Sequence, residues 1–223
     1  MLKDLSLHKR LANYAIEDPV ANRLLVCVED CFQDAVNRTK SVIKHMPEYT
    51  LHDEVHLLRV VEIMGLLIPD TTLERLTALE LGGLILSAAY HDIGMAPSDS
   101  EVRALLTTNA SSTNEDSKRY LTVKESFPNL LKRQKWLRKS GKNFEAQEIE
   151  SWFLIQHLRR THAERARKLL LESYMTKMVY DYCQFAPRLA EVCFSHNEDA
   201  SSLTAIDARE LVRGGREYCN CDL

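Results

Sequence analysis

Few residues in this chain can interrupt a helix. Seven glycines and six prolines are spread over 223 residues, and alternation of β-branched with polar residues is scarce. Long stretches instead carry apolar residues at helical spacing, so the chain reads as an all-α fold. Helices are expected near residues 19–44, 51–67, 73–90, 145–171, 172–195 and 204–213, with a turn at Met46-Pro47-Glu48. In the second of these, Leu57, Val60, Val61 and Met64 share one face. Pro69-Asp70-Thr71-Thr72 breaks the pattern and offers a cap for the helix that follows. Residues 97–143, opening PSDSEVRALLTTNASSTNEDSKRY, are rich in Ser, Thr and Asn and read as an exposed polar insertion rather than a second domain. No internal repeat is seen, and the expected organisation is one domain over 1–223.

Bulk composition narrows the setting. A chain of this length with 45% hydrophobic residues can bury a sizeable core. A formal charge of -3 and a pI near 6.3 argue against a general nucleic-acid coat or a membrane-surface protein. No apolar run approaches the roughly 20 residues that span a bilayer. The charged start, MLKDLSLHKRLANYAIED, lacks the apolar core of a signal peptide. The six cysteines are scattered through apolar stretches of a mid-sized chain and read as reduced thiols, which places the protein in the cytoplasm.

Chemistry concentrates in histidines. His91-Asp92 ends the apolar stretch LELGGLILSAAY and pairs a nitrogen ligand with a hard oxygen ligand on consecutive residues. A carboxylate beside an imidazole can hold one metal ion or bridge two. His52 and His56 lie upstream, four residues apart on one helical face, where both imidazoles can reach one pocket. His162 and His196 lie downstream, each beside a helix-like run. Five of the eight histidines can therefore be aimed inward by a bundle. For His162 the competing reading is a solvated residue. His196 ends the helix LAEVCFSH, where a capping cation is the alternative, and Glu198 and Asp199 follow as further oxygen groups.

The order of these residues resembles the HD superfamily of metal-dependent phosphohydrolases. The likeness rests on His56 on an early helix, the His91-Asp92 doublet, and the later Thr161-His162-Ala163 and Ser195-His196-Asn197. It covers most of 45–215 and is most specific over 50–96, and the nearest branch is the HD-CE type, often found beside an ATPase domain. The resemblance implies a helical bundle with a metal centre between helices. His56, His91 and Asp92 would ligate a first divalent ion, with Asp92 bridging to a second site completed by His162 and His196. The stretch YTLHDEVH is similar to cyclic-nucleotide phosphodiesterase relatives, which implies His52 as proton donor to the leaving oxygen. His52 and Asp92 would then be the catalytic residues, acting with a water activated by one or two ions. The nitrogen-rich set suits Mn, Fe, Ni, Co or Zn better than Mg alone. Arg159 and Arg160 would meet the phosphoryl oxygens of a phosphate-containing small molecule, a nucleotide being the expected type.

One part of the family pattern has no counterpart, an aspartate on a late helix in a sequence like Leu-Arg-Leu-Ala-Asp. The chain reads as truncated before that helix, or as having lost the ligand; Asp222 lacks matching neighbours. The rival reading is a catalytically inactive HD module that binds a nucleotide or regulates a partner ATPase. Two other constellations carry chemistry of their own. Cys193-x-x-His196 with Cys219-x-Cys221 can be read as a structural zinc site, against which the Cys-x-Cys spacing counts. Residues 131–142, LKRQKWLRKSGK, carry six positive charges and no acid around Trp136; they read first as a solvated face and second as a hold for a phosphate-rich substrate or a nucleic-acid strand. Gly82-Gly83 is no phosphate loop and reads as a site of close helix packing.

Overall fold

The computed structural model describes residues 1–46, 53–109, 111–181 and 183–196. They form an all-α bundle of ten helices: α1 (Ser6–Glu17), α2 (Pro19–His45), α3 (Glu54–Leu67), α4 (Asp70–Leu73), α5 (Ala78–Tyr90), α6 (Asp99–Leu106), α7 (Glu115–Glu125), α8 (Pro128–Lys139), α9 (Asn143–Ser173) and α10 (Ala186–Ser195). A two-stranded antiparallel hairpin, β1 (Val179–Tyr180) and β2 (Cys183–Gln184), lies between α9 and α10.

Local chemistry sets the starts. Asp18 caps α2 by accepting from the Val20 amide, with Pro19 in the first turn. Asp53 accepts from the His56 amide and so fixes the start of α3 at Glu54 rather than Leu51. Thr77 and Glu80 form a reciprocal capping box, so α5 starts at Ala78. The cap expected at 70–72 does not form: Asp70–Leu73 is the single turn α4 itself, with Pro69 before it and no side-chain cap. The expected helix over 172–195 is also corrected. Tyr174 ends α9, Asp181 adopts φ 48° in the hairpin turn, and Pro187 helps open a new helix. Aspartate tolerates that left-handed conformation better than most residues, which makes the tight turn accessible. The expected helix at 204–213 lies outside the described residues. The charged N-terminal stretch, not anticipated as a helix, is amphipathic and buries Leu7, His8 and Leu11.

Two cores result. The larger joins α1, α2, α3, α5, the end of α9 and α10, with α5 at its centre burying Leu81, Ile85, Leu86 and Tyr90. Gly82 lets α2 approach α5, because a Cβ there would meet Val28 at 3.2 Å and Leu24 at 3.4 Å; Gly83 faces open space. The second core gathers Val42 and Met46, Met95, Val102, Leu105, Tyr120, Phe153, Leu154 and Leu158. The polar segment 97–143 is thus more than an exposed insertion. Its sparse apolar residues fall at helical spacing and dock α6, α7 and α8 on α9.

That docking is also polar. The Glu150 carboxylate, 7% exposed, accepts from Tyr120 Oη at 2.5 Å, Lys124 Nζ at 2.6 Å, Gln134 Nε2 at 2.5 Å and Arg138 at 2.8 Å. Burial pushes its pKa upward, but the Lys124, Tyr120 and Gln134 donors outweigh it and hold the carboxyl below its usual 4.5. Glu150→Ala strands a lysine and two neutral donors, and is expected to cost about 3–5 kcal/mol in thermal unfolding at neutral pH. Because the folded-state value is depressed, this stabilisation is present above about pH 4.5 and is lost as pH falls through the folded value. The gap between wild type and variant should therefore narrow in acid; a gap that stays constant would count against the carboxylate as its source.

Candidate metal centre

Four elements deliver the site. His56 lies in the first turn of α3, and His91 caps the C-terminus of α5. Asp92 follows at the start of a single 3₁₀ turn, Ile93–Met95. His162 projects from α9, and His196 caps α10. Asp92 sits among all four rings. Its Oδ2 is 2.9 Å from His91 Nε2 and 3.9 Å from His56 Nε2, while its Oδ1 is 3.4 Å from both His162 Nε2 and His196 Nε2.

The other ring nitrogens are tied to main chain. His91 Nδ1 is 2.9 Å from the Ala88 carbonyl, His162 Nδ1 2.7 Å from that of Arg159, and His196 Nδ1 2.5 Å from that of Cys193. A carbonyl only accepts, so in each ring Nδ1 carries the proton, and a neutral ring presents an Nε2 lone pair toward Asp92. The same i−3 device recurs three times, twice at a helix C-terminus where such carbonyls lack a helical partner. His162 Nε2 and His196 Nε2 lie 3.0 Å apart. Two lone pairs at that distance cannot bond each other; a proton or a cation between them is required. Burial pushes His162 below its ordinary pKa despite the Arg159 carbonyl and Asp92, whereas the hydrogen bond to Asp92 raises His196.

The donor set fits a metal. His56, His91 and Asp92 form one group whose ligand atoms lie within 4.8 Å of one another, and Asp92, His162 and His196 form a second that shares the carboxylate. Metal–ligand bonds of roughly 2.0–2.2 Å place neighbouring donors about 3 Å apart, close to the spacings here. Imidazole-rich sets with one carboxylate suit transition ions.

Gly94, absent from the sequence-based candidates, clamps the turn that carries Asp92. A Cβ on Gly94 would lie 1.9 Å from the His162 carbonyl oxygen and 2.9 Å from the Ala166 nitrogen. Arg165 Nε donates to the Gly94 carbonyl at 2.9 Å, and its Nη2 to Glu101 at 3.0 Å. The only sequence signal for this was a glycine two residues beyond Asp92. A cavity of about 420 Å³ lined by Arg38, Gly94, Thr161 and Arg165 adjoins this turn without including the metal-site histidines.

His52 lies outside the described residues, as do Glu198, Asp199, Cys219, Cys221 and Asp222. Arg159 lends its carbonyl to His162. Arg160 is not brought to the centre: its guanidinium stacks on Phe127 at 5.6 Å, because two residues along α9 turn it about 200° from His162. Cys193 is buried at 1% exposure, and burial, then the Asp92 charge, push its thiol up to about 12. Its Sγ packs into the larger core, 4.0 Å from the Ser87 carbonyl.

The fold and this cluster define an HD-type helical domain, a class made up in general of metal-dependent phosphohydrolases. The HD-CE family model matches residues 46–223, most of the chain, and the protein belongs to that family. Searches of curated proteins and of solved structures return no match. Among the described residues no helix is long and apolar enough to cross a membrane.

Proposed function

We propose that this protein hydrolyses a phosphate ester, with a nucleotide as the favoured type, at a centre holding one or two divalent transition ions. The single observation that carries this reading is the Asp92 carboxylate set among four imidazoles, three of them held by carbonyls with Nε2 turned inward. His56 and His91 would hold one ion with Asp92, and His162 and His196 a second. Such ions supply Lewis acidity to the phosphoryl oxygens and acidify water. Asp92, reached from both groups, holds the two halves together. Arg159, next to the cluster on α9, is the cation proposed to orient a phosphoryl oxygen. His52, the proposed general acid, would donate to the leaving alkoxide. Because α9 contributes to both cores, 1–223 is read as one HD-like domain, working in the cytoplasm.

The deciding experiment separates His52 from His56. His56→Ala should lower metal content and hydrolysis together. His52→Ala should keep the metal and lose rate by about 10²–10⁴-fold on poor leaving groups, but less on nitrophenyl esters, whose oxygen needs little protonation. Equal losses on both substrate types would remove His52 from the acid role, and loss of metal would make it a ligand. A metal-loaded protein inert toward mono- and diesters would instead support the regulatory module, with a nucleotide or partner ATPase as its ligand.

A further inference from the structure

Helix α8 presents a second surface, separate from the metal residues. Residues 132–142 hold six cations and no acid within a chain of net charge -3. Arg138 is turned back to Glu150. Lys132, Arg133, Lys135, Lys139 and Lys142 are exposed, and among the described residues none has a carboxylate partner within ion-pair distance. Lys132, Lys135 and Lys139 follow a three-four spacing that puts them on one side of the helix, over a rise of about 10 Å. Lys142 continues the stripe past the left-handed turn at Gly141.

Trp136 stands inside this stripe, one turn from both Lys132 and Lys139. It is 58% exposed, leaving much of a large aromatic surface in water. Lys142 Nζ lies over the ring, 5.6 Å from its centroid. Phe144, at the start of α9, is 75% exposed close by in sequence. The helix turns Gln134 and Leu137 inward, so Trp136 is the one strongly exposed large apolar residue of α8. A membrane-surface helix needs a continuous outward apolar face, which α8 lacks. An exposed indole among lysines that have no carboxylate partner among the described residues has instead the two parts of a single-strand platform: cations for successive phosphates and a π-face for a base.

We propose that the exposed face of α8, built from Lys132, Lys135, Lys139, Lys142 and Trp136, binds single-stranded nucleic acid without sequence preference. The lysines meet the phosphodiester backbone, and Trp136 stacks on a base. The surface is independent of the metal centre, and binding is expected with the centre stripped.

The test uses the full chain in EDTA with a fluorescein-labelled 20-nucleotide oligothymidylate, followed by anisotropy. Binding is expected with a dissociation constant of about 10⁻⁶–10⁻⁴ M, weakening as salt rises with a slope of about −0.7 per phosphate neutralised. Trp136→Ala should weaken it roughly 5- to 100-fold and remove the tryptophan quenching, since the only other tryptophan, Trp152, packs against Phe127. Lys132→Glu with Lys135→Glu should abolish binding and leave the melting temperature unchanged. Inorganic polyphosphate should compete without quenching Trp136. The proposal is overturned if the oligonucleotide does not bind at 50 mM salt, or if the lysine reversal leaves binding intact. It is equally overturned if Trp136→Ala binds as wild type, or if phosphatidylserine vesicles bind where the oligonucleotide does not.

Discussion

Replacing Asp92 with alanine is expected to remove bound metal while leaving the helices folded. Asp92 is the only residue common to both candidate ligand groups, so its loss opens both at once. Partners that merely orient a ligand typically contribute 10–100-fold to metal affinity, and a shared carboxylate should exceed about 100-fold. The charge balance points the same way. Without the carboxylate the inward-facing imidazoles surround a position with no anion, and a divalent ion there lacks compensation. Elemental analysis after reconstitution with Mn, Fe, Ni and Zn, with far-UV circular dichroism alongside, reads the result. Asp92→Asn separates charge from shape: it keeps an acceptor oxygen and loses the charge, and should fall between alanine and wild type. Wild-type metal stoichiometry in Asp92→Ala would dismiss the centre as drawn.

Gly94→Ala should be nearly as damaging although Gly94 is no ligand. The new methyl would meet His162 carbonyl O at 1.9 Å, its carbon at 2.7 Å and Ala166 N at 2.9 Å. All three are main-chain atoms of a helix, so no flexible side chain can yield. The turn must lift away from α9, carrying His91 and Asp92 from His162 and His196. Overpacking of this kind costs about 1–3 kcal/mol or more, and the displaced carboxylate should weaken metal binding well beyond that of the wild type. Gly83→Ala is the matched control, because nothing lies within 4 Å of where its methyl would stand and helix propensity favours alanine by roughly 1 kcal/mol. Thermal melting and metal titration on the two variants decide the matter. If Gly94→Ala melts and binds as Gly83→Ala does, close apposition of the turn to α9 is not what holds the site.

The clustered residues His56, His91, Asp92, His162 and His196 were legible because their chemistry is local to the sequence. A doublet at a helix end and single histidines beside apolar runs survive any docking that brings those ends together. The clamp was not legible, because Gly94 matters only against a carbonyl 68 residues away in the chain. Arg159 and Arg160 are adjacent and chemically alike. The phase of α9 alone sends one carbonyl to His162 and the other guanidinium to Phe127.

The same division holds for the fold. Scarce breakers and helical spacing of apolar residues determined an all-α chain, since local backbone preference and amphipathic burial depend on near neighbours. Tertiary packing decided where several elements stop and what they cover. It turned 179–184 into a hairpin, docked the polar 97–143 segment on α9 around buried Glu150, and collected four inward-facing histidines around Asp92. Those outcomes depend on contacts between residues far apart in sequence, and neither periodicity nor composition records such distances.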